Sequence, residues 1–247
     1  WKAHGAVNMR QAIAVSSDVY FFSIGGGYEG QEGLGISRID KYARIFGLGK
    51  KTGVDFAGEV EGTIPTPEWK QEIFGEDEPW RLGDTYNTSI GQYGFQVTPI
   101  QMARAIGAIA NGGTLLAPRL IASSTPISTP TDLKDGDLKV VREGMRQAVT
   151  SDAGTVRALN IAGFPIAGKS GTAEVGNKKQ WMNAWVVGFW PYEDPRYSFA
   201  VVLERAPSGT LSGAPPAMRP FFEWLSQRDE QEVAAVVEES DVTQPIE

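Results

Sequence analysis

Two uninterrupted apolar runs constrain the fold most. Val186-Val187-Gly188-Phe189 and Phe199-Ala200-Val201-Val202-Leu203 carry no polar alternation. Runs of this length and composition read as strands, and strands without alternation need cover on both faces. Pro191 to Arg196 makes a tight connection between them. The spacing predicts three strands, over 164–175, 184–190 and 197–204. Helical periods dominate the rest, so the chain reads as an α+β fold with helices covering a sheet.

Residues 8–24 read as helix, break, helix. Met9, Ala12 and Ile13 share a face, Val19 to Ile24 form a second apolar run, and Ser16-Ser17-Asp18 falls between. Gly25-Gly26-Gly27 is expected to end the segment. A helix is predicted over 37–46 and stopped by Gly47 and Gly49. Residues 50–97 are rich in Gly and Pro and read as long loops with short elements. Over 98–111 the signals are local and mutually consistent. Thr98 is a good N-cap, Pro99 suits the first helical position, Gln101 completes a capping box, and Asn111-Gly112-Gly113 terminates the helix. Residues 122–136 read as loop, 137–150 as helix, and 216–226 as a final amphipathic helix through Met218, Phe221, Phe222 and Leu225. From Arg228 onward the chain is acidic and poor in aromatics, the composition of a disordered tail. The domain is expected to span 1–227, followed by the tail over 228–247.

Composition removes several chemistries. Apolar residues make up 41% of the 247, enough for a sizeable core. Net charge is −7 with no basic stripe, so no nucleic acid is expected as a partner. There is no Cys and one His, His4. Thiolate zinc sites, disulfides and Cys nucleophiles are excluded, no metal or other cofactor is expected, and His4 is expected to pack or cap. Proton chemistry must then run on Lys, Ser and carboxylates.

Two short patterns carry such chemistry. Lys169-Ser170-Gly171-Thr172 lies in the first predicted strand. It offers an ammonium beside a reacting hydroxyl, hydroxyls that grip a carboxylate, and a glycine where a substrate backbone can lie close. Ser16-Ser17-Asp18 sits at a helix break, where Ser16 and Asp18 can face one cleft. Each has a bland reading beside it: an exposed strand for the first, an N-cap by Ser17 or Asp18 for the second. Lys51-Thr52-Gly53 repeats the Lys-Thr-Gly spelling but follows a helix stop, lacks the following Thr, and reads as a structural turn. Glu76-Asp77-Glu78 reads as a solvated loop, and Trp185 and Trp190 as core around the sheet.

The two patterns together resemble the signature of penicillin-binding proteins and serine β-lactamases. The resemblance extends through Phe46-Gly47-Leu48-Gly49, Thr52-Gly53-Val54-Asp55, Glu61-Gly62-Thr63-Ile64-Pro65, Gly83-Asp84-Thr85 and Asn87. It continues through Ser89-Ile90-Gly91-Gln92, Val97-Thr98-Pro99, Ala110-Asn111-Gly112-Gly113, Ala184-Trp185 and Val187-Gly188-Phe189. In this order and spacing the set looks like a class B penicillin-binding protein over roughly residues 1–226. Asp18 at the third place, followed by Val19-Tyr20-Phe21-Phe22, looks most like the elongation-type enzymes, which build the side wall of rod-shaped bacteria and so set cell shape.

The resemblance implies a penicillin-binding-protein transpeptidase fold in part, with the last three antiparallel strands of its sheet and a helical lobe. No Ser-x-x-Lys occurs in the 247 residues, so the chain reads as N-terminally truncated, without the family's nucleophile. An open strand edge is expected to follow. By resemblance, Ser16, Asp18 and Lys169 are catalytic: Ser16 shuttles a proton and Lys169 orients it, with Asp18 expected to favour the charged form of Lys169. Ser170, Gly171 and Thr172 bind substrate, and the Thr172 N–H supplies half of an oxyanion hole. The implied reaction is acyl transfer on the D-Ala-D-Ala end of a peptidoglycan stem peptide, blocked by β-lactams. A glycosyltransferase partner in the elongation machinery is implied, as is a location on the extracytoplasmic (periplasmic) face of the bacterial inner membrane with an N-terminal anchor. Two rival readings share the fold: an inactive scaffold, and a β-lactam sensor or β-lactamase.

Overall fold

The computed structural model describes residues 4–121, 125–176, 180–209 and 213–228. The acidic segment from 229 to the end lies outside the described residues.

Helix α1 (Met9–Val15) opens on a capping box, in which the Asn8 side chain accepts from the Gln11 N–H and Gln11 answers at the Asn8 N–H. It ends at Ser16, which takes a left-handed φ of 54°. Helix α2 (Asp18–Gly26) starts two residues later. Gly25 and Gly26 do not end α2; they lie inside it, and the helix stops at Gly27. A Cβ on Gly26 would meet the Tyr86 ring at 2.2 Å, so the missing side chain lets a second helix approach. That helix is α5 (Leu82–Ser89). With α3 (Gly35–Ile45) it forms the helical lobe.

The turn-rich stretch contains two eight-residue helices, α4 (Pro67–Phe74) and α5. Thr66 caps α4 by accepting from the Trp69 N–H, with Pro67 at the first helical position. The two helices are tied by Lys70, whose Nζ donates to Asp84 Oδ2 at 2.7 Å and to the Pro79 carbonyl at 2.9 Å, out of solvent. A fold-specific ion pair, invisible to hydrophobic periodicity, stabilises this region.

Helix α6 (Pro99–Ala110) follows the expected boundaries, with the Thr98–Gln101 capping box formed in both directions. Gln101 is also buried and donates to the carbonyls of Lys50 and Glu61, each at 2.8 Å. One capping residue therefore also ties down the preceding loop. The Lys51-Thr52-Gly53 turn is clamped by Glu59, whose carboxylate accepts from the Thr52 N–H at 2.7 Å and the Gly53 N–H at 3.2 Å. After α6, strands β1 (Thr114–Leu116) and β2 (Ser128–Pro130) pair antiparallel, the latter within a stretch read as loop. Helix α7 (Asp135–Thr150) and a 3-10 turn (Arg157–Leu159) lead to the main sheet.

Strands β3 (Ala167–Val175), β4 (Trp181–Trp190) and β5 (Tyr197–Pro207) form an antiparallel sheet in the order β3-β4-β5. The apolar runs are covered on both faces. Ala184 and Val186 join a core with Val149, Val156 and Phe222. Val187 and Phe189 point the other way, into a core with Ile13, Ile106 and Met145. Helix α8 (Ala214–Ser226) closes the first face. Its Phe222 lies among Phe199, Trp190 and Phe164 with ring centroids 4.9, 5.4 and 6.2 Å away. Truncating a ring buried like this costs about 3–5 kcal/mol. Among the described residues β3 and β5 each pair only with β4, so each has an edge free of strand pairing.

Candidate active site

The site forms where the α1–α2 break meets β3. Helix α1 is seated on α7: Ile13 fills the space above Gly144, where an added Cβ would stand 2.9 Å from it, and Arg10 pairs with Glu143. This fixes the end of α1 over the sheet. The left-handed turn at Ser16, unusual for a residue with a Cβ, then orients its side chain. Lys169 on β3 donates from Nζ to Ser16 Oγ at 2.7 Å, across 153 residues of sequence. A second bond runs from Nζ to the Ser170 carbonyl at 2.6 Å. Because Ser16 accepts from an ammonium, its own proton is left to donate elsewhere.

Ser17 occupies the N-cap position of α2 without a side-chain capping bond, and Asp18 is the first helical residue. The bland capping reading of this triplet is absent from the structure. Burial pulls the Lys169 ammonium down from its usual 10.5 to about 8, and the negative charge of Asp18 opposes that shift. Asp18 thus favours the charged form of Lys169, but desolvation outweighs this one carboxylate, which makes no direct bond to the ammonium among the bonds described. Lys169 is still mostly cationic at neutral pH, by about one pH unit.

Strand alternation separates the rest of the tetrad. Lys169 and Gly171 face Val187 and Trp185 across the register, whereas Ser170 and Thr172 face Val186 and Ala184 on the opposite side. A Cβ on Gly171 would stand 3.3 Å from Trp185 Cβ, so packing against this Trp already requires a small residue. Ser170 Oγ bonds Thr155 Oγ1 at 2.7 Å. Thr155 also donates its N–H to the Ala14 carbonyl at 3.2 Å, linking the α1 terminus to β3.

Thr155 was not legible as a site residue. The only local signal is the preceding Gly154, where a Cβ would lie 2.2 Å from the Ala148 carbonyl. Gln92 also enters the site, donating from Nε2 to the Thr172 carbonyl at 3.1 Å. In an extended strand the N–H and C=O of one residue point to the same edge. The Gln92 bond therefore means that the Thr172 N–H also faces the open edge of β3, available to an oxyanion. The decoy Lys51-Thr52-Gly53 lies elsewhere, held by Glu59.

A family model described as "Penicillin binding protein transpeptidase domain" matches residues 1–223. The Peptidoglycan D,D-transpeptidase MrdA of Haemophilus influenzae is 33% identical over 255 residues, covering 92% of this chain and 38% of that protein. The structure of Helicobacter pylori PBP2 in complex with MreC superposes with a TM-score of 0.76 at 32% identity, over 91% of this chain and 42% of that one. Pseudomonas aeruginosa PBP2 in complex with WCK 5153 gives the same TM-score and identity over 91% of this chain and 51% of that one. The chain thus spans well under two thirds of the length of these relatives.

Proposed function

The chain belongs to the penicillin-binding protein transpeptidase family, in its class B elongation-type branch, and from that premise we propose that the full-length protein is a peptidoglycan D,D-transpeptidase acting through a serine acyl-enzyme. The observation that carries the reading is the 2.7 Å bond from Lys169 Nζ to Ser16 Oγ, which joins the two patterns across the fold.

In this reading the nucleophilic serine and its lysine come from the remainder of the full-length protein, since no Ser-x-x-Lys stands in the 247 residues. Residues 1–227 form the C-terminal part of the transpeptidase domain. The nucleophile's oxygen bonds the carbonyl carbon of the penultimate D-Ala, the C–N bond breaks, and the terminal D-Ala leaves as an amine. Ser16 hands that amine its proton, oriented by Lys169 and tuned by Asp18. Ser170 and Thr172 hold the terminal carboxylate beside Gly171, and the Thr172 N–H stabilises the oxyanion. The amine of a second stem peptide then displaces the serine and completes the cross-link. A β-lactam enters by the same route and stays.

The proposal includes partners in the elongation machinery, a glycosyltransferase among them, and the Helicobacter pylori relative stands in a complex with MreC. It also includes an extracytoplasmic location with an N-terminal anchor. Among the described residues no helix is long and apolar enough to cross a membrane.

The test is exposure of the full-length protein to a labelled penicillin, with the adduct mapped by peptide mass. A stable adduct on a Ser-x-x-Lys serine, lost in Lys169→Ala, is expected. A folded protein that takes no label favours the inactive scaffold. Rapid release of hydrolysed drug favours a β-lactamase.

A further inference from the structure

Among the described residues strand β3 presents an edge without strand pairing, and such an edge is a template for another extended chain. Among its outward carbonyls are those of Ser170 and Thr172, by the alternation established above. Both are already engaged by side chains. Lys169 Nζ donates to the Ser170 carbonyl and Gln92 Nε2 to the Thr172 carbonyl, at 2.6 and 3.1 Å. At these two positions the edge is capped from within the chain.

The two caps differ in kind. Lys169 is committed to the site through Ser16. Gln92 reaches in from the helical lobe, and its bond to β3 is exposed to solvent. Its backbone is held by local contacts. Gln92 N–H donates to the Asn87 carbonyl at 3.0 Å, and left-handed Gly91 and Tyr93 flank it at φ 76° and 62°. The Tyr93 ring is wedged against Trp69 and Trp80, each at 5.8 Å, with the Lys70 ammonium over its face. A stem held by backbone and packing contacts, carrying one amide whose bond to β3 is open to solvent, suits a cap that leaves and returns without moving the backbone.

We propose that Gln92 is a reversible cap on the β3 edge, competing with an extended peptide for the Thr172 carbonyl. The peptide's N–H takes the place of the Gln92 amide when the peptide adds alongside β3. The nature of that peptide, a D-Ala-D-Ala terminus, rests on the transpeptidase reading; the cap itself rests on the edge geometry.

Binding of a tripeptide ending in D-Ala-D-Ala to the full-length protein, by calorimetry, tests this. Gln92→Met keeps length and bulk without a donor, and Gln92→Ala removes both. Each is expected to bind the tripeptide about 2- to 10-fold more tightly than wild type, the worth of one solvent-exposed hydrogen bond. Equal or weaker binding in both folded variants, or no binding by any of the three proteins, overturns the cap. A maximal penicillin-acylation rate that drops in Gln92→Met assigns Gln92 to holding Thr172 in position and also overturns it. Wild type that binds the peptide less tightly than its variants yet never takes a penicillin adduct retains the cap and rejects the transpeptidase reading.

Discussion

Lys70 and Lys169 are two lysines withdrawn from solvent, and the fold treats them in opposite ways. Lys70 donates to the Asp84 carboxylate and the Pro79 carbonyl, and the Asp84 bond raises its pKa above the usual value. Lys169 donates to a hydroxyl and a carbonyl, with Asp18 acting only through its charge, and burial pulls it down to about 8. A paired cation ties loops together. An incompletely compensated one is held at a cost by the surrounding core, and its proton sits near the range where it can respond to chemistry.

The comparison breaks most sharply at Lys169. In the full-length protein Lys169→Ala is expected to lower penicillin acylation by about 10²–10³-fold, the scale of losing one preorganised electrostatic contact; labelling kinetics check it. Stability should move the other way. Lys169→Met removes a cation that folding desolvates, and is expected to raise the melting temperature at pH 7, against a penalty of about 3 kcal/mol for a shift of this size. Lys70→Met is expected to lower it, because Asp84 is left in a site built for a pair. Equal signs for the two variants would remove the distinction drawn between these lysines.

Next in size are the pH profiles of stability. For Lys169 the folded value lies below the unfolded one, so between about 8 and 10.5 the unfolded chain binds more protons and stability rises with pH. Below about 8 the penalty is complete and constant. Lys70 behaves inversely: its contribution is full below the ordinary lysine value and is lost as pH rises through its raised folded value. Burial would raise the pKa of Asp84, but the Lys70 and Arg81 hydrogen bonds hold it lower. Its contribution is present above the ordinary carboxylate range and is lost as pH falls through the folded value. Melting curves of wild type, Lys169→Met and Lys70→Met across alkaline pH separate the two lysines.

The smallest effect sharpens the role of Asp18. Asp18→Asn removes the charge that opposes desolvation, so Lys169 should lose its proton at lower pH. The alkaline limb of acylation, expected near 8 in wild type, should move down in the variant. A limb that stays where it was detaches Asp18 from Lys169.

Much of this protein was determined within a few residues of sequence. Helix α6 starts at Thr98 because cap, proline and Gln101 lie within four positions, and those bonds form whatever surrounds them. Val186 and Val187 belong to opposite cores because a strand has a period of two. The tetrad at Lys169 and the triplet at Ser16 were also legible, each as a pattern with a bland alternative.

Tertiary structure decided what the local patterns left open. It chose Ser16 over a capping role for the triplet, since the left-handed turn and the seat of α1 on α7 aim that hydroxyl at β3. It brought in Thr155 and Gln92, residues with ordinary side chains whose roles exist only through partners 15 and 80 positions away. It tied α4 to α5 through a buried ion pair that no apolar period announces. It also set the charge balance at Lys169, where desolvation outweighs the opposing pull of Asp18. Capping and alternation are decided by neighbours along the chain, whereas desolvation sums over everything packed around a group, and only the folded chain supplies that sum.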